Sequence, residues 1–176
     1  MISGLALHTA AESRLRTLPV IAVSMISIGV YMWWSERAGR RCKRLSDIRS
    51  IDALIIGIAQ AAAVIPGVSR SGSTISTGLF RDLEREAAVR FSFLMSTPII
   101  AGAALVEARE LIGAGLPPEM RVPFLLGTAV SAIVGYGAIW GLIRYLRVRS
   151  LAVFVVYRIA VGALILLIAF RGGTTG

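Results

Sequence analysis

Apolar residues dominate the chain in blocks, and the block lengths are the first message. Four reach the roughly 20 residues that a helix needs to cross a bilayer: Thr17 to Trp34, Ala87 to Val106, Val122 to Leu146 and Leu151 to Phe170. A fifth apolar stretch, residues 51–80, is broken in its middle by Pro66-Gly67-Val68-Ser69-Arg70-Ser71-Gly72-Ser73-Thr74. Its two flanks are each too short to span at about 1.5 Å of rise per residue. Backbone groups in lipid must be satisfied within the segment, so all these blocks predict helices. The broken one predicts a re-entrant pair of half-helices with residues 66–72 at its tip. Pro66 ends the first half, and Gly67 and Gly72 supply the torsional freedom of the bend. The expected fold is all-α and integral to a membrane, one domain over residues 1–176, with about four transmembrane helices and one half-helix pair.

Composition agrees: 56% of the 176 residues are hydrophobic, only 16% are charged, and the mean hydropathy is +0.75. A formal charge of +9 raises the question of nucleic acid. The basic residues gather in short loops between apolar blocks, without aromatic interleaving, and that distribution argues against it. Residues 36–49 hold six basic side chains against Glu36 and Asp47, and Arg144, Arg147 and Arg149 follow the third long block. Both loops read as cytoplasmic. Residues 107–121 have an excess of one acidic charge and contain Gly113, Gly115, Pro117 and Pro118, so they read as an exterior loop. The re-entrant pair then enters from and returns to the cytoplasmic side. Pro98 predicts a kink in the second long block. No cleavable signal peptide is expected in residues 1–16, where His8, Glu12, Arg14 and Arg16 leave no long apolar core. Cys42 is the sole cysteine and excludes an intramolecular disulfide or a Cys-based metal cluster.

Chemistry concentrates at the break. Arg70 is a fixed positive charge at membrane depth, where an ionised side chain is expensive and marks a functional site. Its planar fork can bond two phosphate oxygens. Ser69, Ser71, Ser73 and Thr74 add hydroxyls, and the start of the second half-helix adds N–H groups and a favourable dipole. Together they describe a cradle for phosphate or diphosphate. The competing reading has Ser and Gly capping the half-helices while Arg70 bonds carbonyls exposed by the bend. Gln60, near the end of the first half-helix, either faces the cavity or bonds a neighbouring helix. Arg158, about 10 Å into the last block by helical rise, either reaches back to the interface or pairs within the bundle or with a lipid phosphate. Gly127, Ser131 and Gly135 share one helix face at four-residue spacing and serve close packing, in a bundle or a dimer. Glu84 and Glu86 read as a solvated helix start.

The stretch Gln60 to Ile75, with Pro66-Gly67-Val68-Ser69-Arg70-Ser71 and Thr74 in the pattern P-G-x-S-R-S-x-x-T, closely resembles a signature of the bacterial undecaprenyl-diphosphate phosphatase family of the bacitracin-resistance type. Ala87 to Leu94, Pro98-Ile99-Ile100 and Tyr157-Arg158-Ile159 resemble that family as well. The resemblance implies a multi-pass enzyme of the bacterial inner membrane that removes the terminal phosphate of a polyprenyl diphosphate and regenerates the monophosphate carrier for peptidoglycan and other envelope polymers. It implies two inverted repeats, of which this chain resembles the second. Arg70, Ser69 and Ser71 would be catalytic. Gly67, Gly72, Ser73, Thr74 and Gln60 would bind substrate. A divalent cation, Mg or Ca, is implied, with its carboxylates and a catalytic His expected in the first repeat. Nothing in residues 1–59 resembles that repeat's Glu-rich stretch or its S-S-S-G-H pattern, and His8 does not fit it. The chain therefore reads as the C-terminal half of the enzyme, inactive alone, with the N-terminal repeat as a partner and a homodimer as a further possibility. Two other readings stand beside it: half of a polyprenyl-phosphate or anion transporter, since such half-helix pairs also build transporters, or a non-catalytic remnant that associates through its Gly-rich faces.

Overall fold

The computed structural model describes residues 17–172 except Leu116, and the expectations for His8, Glu12, Arg14 and Arg16 lie outside those residues. Among the described residues six α-helices follow in order: α1 (Leu18–Ala38), α2 (Ser50–Ala61), α3 (Arg70–Phe80), α4 (Arg85–Ala114), α5 (Pro118–Val148) and α6 (Ala152–Gly172). Among the described residues α1, α4, α5 and α6 are long and apolar enough to cross a membrane. The half-helix pair is α2 and α3, with 12 and 11 residues, so each is only about 16–18 Å long.

The helices run past the apolar blocks that predict them. Most of residues 107–121 is helix rather than loop: α4 continues to Ala114, Gly115 takes φ 72° at its C-cap, and Pro118 opens α5. Glu and Arg are good helix formers, and charged side chains at a helix end can leave the membrane without unwinding the backbone. At the other end α4 begins at Arg85, directly after its N-cap Glu84. Glu86 is not a free solvated residue, because it receives Arg90 at 2.7 Å and Arg147 at 2.8 Å.

All the basic loops meet at one end of the bundle, as the charge pattern predicts. The Glu36 carboxylate on α1 accepts from Arg41 at 2.9 Å, from Arg85 at 2.7 Å and from the Leu151 N–H at 3.1 Å. That single group joins the starts of α4 and α6 to the end of α1. The Cys42 and Lys43 N–H groups donate to the Asp82 carbonyl, and the Glu84 N–H donates to the Lys43 carbonyl. The chain leaving α1 and the chain leaving α3 are therefore laced together at that end. α3 is walled by α1, α2 and α4, and Ser73 through Leu79 are buried.

Close packing of small residues occurs between α1 and α6, the most extensive helix pair. A Cβ on Gly162 would lie 2.7 Å from Ile26 Cγ1 and 3.0 Å from the Ala22 carbonyl, and one on Gly29 would lie 2.9 Å from Ile159 Cγ1. By contrast, no described atom outside α5 lies within 4 Å of where a Cβ would stand on Gly127, Gly135, Gly137 or Gly141. The α5 stripe is regular in sequence but is not used by the described residues.

Candidate functional site

The tip begins where α2 ends in a 3-10 turn at Ala62–Val64. Ile65-Pro66-Gly67-Val68 then forms a reverse turn closed by the Val68 N–H donating to the Ile65 carbonyl at 3.1 Å. Pro66 supplies the fixed φ of the first central position, and Gly67, at φ 88°, supplies the left-handed second one. Space enforces the glycine too, because a Cβ there would stand 2.5 Å from the Ile21 carbonyl of α1.

Ser69 follows as the N-cap of α3. Its Oγ accepts from the Gly72 N–H at 3.1 Å and lies 3.4 Å from Ser71 Oγ. The Ser73 N–H goes to the Ser69 carbonyl at 2.9 Å. Among the described residues this leaves the N–H groups of Arg70 and Ser71, at the positive end of the α3 dipole, open to a ligand. The Arg70 guanidinium also makes no hydrogen bond or ion pair among the described residues and is partly exposed.

The carbonyl exposed by the bend is served by a different side chain. Arg158 of α6 donates from Nη2 to the Gly67 carbonyl. So the arginine that pairs inside the bundle is Arg158, and the job that would explain Arg70 as a structural residue is already filled. Arg158, Ser69, Ser71 and Gly72 line one cavity of about 140 Å³, whose remaining walls include Met32, Ile75, Leu142, Phe154 and Tyr157. A small set of polar groups at one end of an apolar chamber suits an amphiphile with an anionic head.

The other residues singled out from sequence, Arg70 and Gly67 among them, do not line this cavity. Ser73 is 3% exposed and Thr74 1%. Thr74 Oγ1 donates back to the Arg70 carbonyl and lies 2.6 Å from Ser92 Oγ, joining α3 to α4 beneath the tip. Ser73 Oγ and Gln60 Oε1 are buried without a partner among the described residues. Sequence reasoning leaves Ser92 without a role. Its signal is weak, since a serine between two phenylalanines in an apolar helix is common as packing. Arg158 has the stronger signal, a charge within an apolar block.

At the base of the half-helix pair Asp52 is fully buried. It accepts from Arg81 Nε at 2.7 Å, the Arg49 N–H at 3.2 Å and Lys43 Nζ at 3.4 Å. Burial alone would push this carboxyl up; the bonds from Arg81 and the Arg49 N–H and the Lys43 charge outweigh it and hold it below the ordinary range. The pair closes the open ends of α2 and α3 against each other.

A hard divalent cation seeks carboxylate and carbonyl oxygens. The described tip offers hydroxyls and a guanidinium, while Glu36, Asp52 and Glu86 are all engaged by arginines at the opposite end. Among the described residues no group of three or more His, Cys, Asp or Glu is placed to hold a metal. These residues by themselves do not fit such an ion.

Comparison with known proteins places the sequence. Undecaprenyl-diphosphatase of Moorella thermoacetica is 45% identical over 166 residues, covering 93% of this chain and 61% of that protein. The protein of the same name from Thermomicrobium roseum is 48% identical over 144 residues, or 82% of this chain and 52% of its own length. That from Desulforudis audaxviator is 43% identical over 173 residues, or 98% and 65%. The chain thus spans roughly three fifths of the curated relatives it matches. The family described as bacitracin resistance protein BacA matches residues 1–164, and with the tip, its cap and its free arginine in place, the chain belongs to that family.

Proposed function

We propose that this chain forms the phosphate-holding half of an undecaprenyl-diphosphate phosphatase of the bacterial inner membrane, an enzyme that regenerates the monophosphate carrier for envelope synthesis. The observation that carries the reading is the Arg70 guanidinium, without a partner among the described residues, at a capped tip whose own carbonyl is satisfied by Arg158. A partly buried arginine without a protein partner is stabilised when an anion supplies one.

In hydrolysis, water oxygen attacks the terminal phosphorus, the bond from phosphorus to the bridging oxygen breaks, and the prenyl monophosphate leaves. Negative charge grows on the bridging oxygen. Arg70 is the group that meets it, and Ser69 and Ser71 hydroxyls with the first N–H groups of α3 hold the non-bridging oxygens. Preorganised donors of this kind lower the barrier because they need no reorganisation as charge develops. None of these residues is a base able to activate Ser69, Ser71 or water. The resemblance puts a base and the carboxylates for a divalent cation in the N-terminal repeat, and the chain is expected to be inactive alone. Thr74 supports the tip from below through its bond to the Arg70 carbonyl and its contact with Ser92.

The test is phosphate release from undecaprenyl diphosphate in detergent, with this chain and the N-terminal repeat of a relative co-expressed. Activity should require both, and Arg70→Ala should lower kcat/KM by about 100- to 1,000-fold. Full activity of Arg70→Ala overturns the assignment. Movement of polyprenyl phosphate across vesicles with no phosphate released would favour the transport reading instead.

A further inference from the structure

We propose that Arg158 is a positioning residue for the tip. By donating to the Gly67 carbonyl it fixes the 67–68 peptide and, through it, Ser69 and the start of α3. The role rests on the reading of that tip as a diphosphate cradle.

Magnitude is the first argument. An arginine at membrane depth is costly, and a hydrogen bond from a charged group returns a gain of similar size. The two roughly cancel, so Arg158 adds little net stability. Its contribution is geometric.

Position is the second. Arg158 lies about 9 Å into α6 from Ala152 by helical rise. Its stem is rooted where α6 packs on α1, its Cβ 3.6 Å from where a Gly29 Cβ would stand. Gly67 is backed by the Ile21 carbonyl of α1 and held in front by Arg158, so the turn is gripped on both sides. Two residues on, Ser69 Oγ caps α3 and reaches toward Ser71 Oγ. If the Gly67 carbonyl swings free, the cap and the two hydroxyls lose their common orientation. Arg158, Ser69 and Ser71 line the same cavity, so the constraint acts where the anion would lie.

The experiment uses the whole chain in detergent with farnesyl diphosphate as the probe, and compares Arg158→Lys with Arg158→Met. Methionine keeps the bulk of the stem and removes the donor; lysine keeps a donor. Hydrogen exchange without ligand should speed at least tenfold at the amides of Val68, Ser69 and Gly72 in Arg158→Met, leave α4 unchanged, and return to within about threefold of wild type in Arg158→Lys. Affinity for the probe should fall about tenfold in the methionine variant and recover with lysine. Should the methionine variant not fold, Arg158→Gln, shorter but still a donor, is compared with Arg158→Leu. Unchanged exchange in the variant without a donor, or a lysine variant no better than it, overturns the role of Arg158 while wild-type binding stands. Absence of binding by the wild type overturns the cradle reading, and the positioning role with it.

Discussion

The chain contains two helical hairpins with opposite surroundings. In the α2–α3 pair, α3 is walled on three sides and buries Ser73, Thr74, Ser76 and Thr77. In the α4–α5 pair the outer stretches are covered by nothing among the described residues, and the faces they present are Leu105, Ile112, Leu125, Ile133 and Val134. A water-soluble protein would arrange this the other way round. In hydrocarbon an apolar face needs no cover, while a hydroxyl or charge does, so burial here follows polarity. The comparison teaches that the short, polar hairpin is the organised centre, and the long, apolar one is a wall whose outer side is left to lipid or to further protein.

Substitutions can break or sharpen that contrast. The largest effect is expected at Asp52. Asp52→Ala leaves Arg81 and Lys43 facing an empty buried site and should cost about 3–5 kcal/mol in detergent unfolding. The sign of the pH dependence follows from the lowered carboxyl. Its contribution is fully present above the ordinary Asp pKa of about 3.9 and is lost as pH falls through the lower value of the folded state. Wild-type thermal stability should therefore drop in strong acid, and Asp52→Ala should flatten that drop. An unchanged melting temperature at pH 7 would show that the base of the hairpin is not closed by this pair.

Next is Gly67→Ala. Its φ of 88° and the Ile21 carbonyl 2.5 Å from the new Cβ should cost about 1–3 kcal/mol. Protease nicking at the tip would reveal the displacement, and an intact tip would contradict the packing described. Ser69→Ala removes the α3 N-cap bond and should cost about 1 kcal/mol, read by hydrogen exchange at Gly72. The smallest effect belongs to the other hairpin. Gly135→Leu adds bulk where no atom outside the helix is near and should stay within about 0.5 kcal/mol in the purified chain. A marked loss would mean that the chain does cover that face.

Hydropathy alone makes the four long helices and the broken one legible, because lipid leaves few backbone solutions. Charge places every basic loop at one end, and the lacing of Glu36 to Arg85 and Leu151 agrees. Helix ends are less legible. An apolar window stops at Val106, whereas hydrogen bonding continues through Glu107, Arg109 and Glu110 to Ala114. Partners across the bundle are not legible either. The regular spacing of Gly127, Ser131 and Gly135 advertises packing, yet the tight contacts are made by Gly29 and Gly162, whose complementarity exists only once α1 and α6 are side by side. At the tip the motif marks Ser69, Arg70 and Ser71, but only the helix register shows that Thr74 points at Ser92. Likewise, only the fold decides which of two intramembrane arginines serves the Gly67 carbonyl.

The Glu36 carboxylate has a consequence for the order in which the molecule is made. Its three partners lie 5, 49 and 115 residues downstream. As the chain leaves the ribosome, Arg41 is at hand within moments, Arg85 emerges only after the whole half-helix pair, and the Leu151 N–H emerges only after α4 and α5. The knot that gathers α1, α4 and α6 can close only when the last helix has been delivered. Until then, the half-buried acid at the end of α1 waits with Arg41 and, later, Arg85.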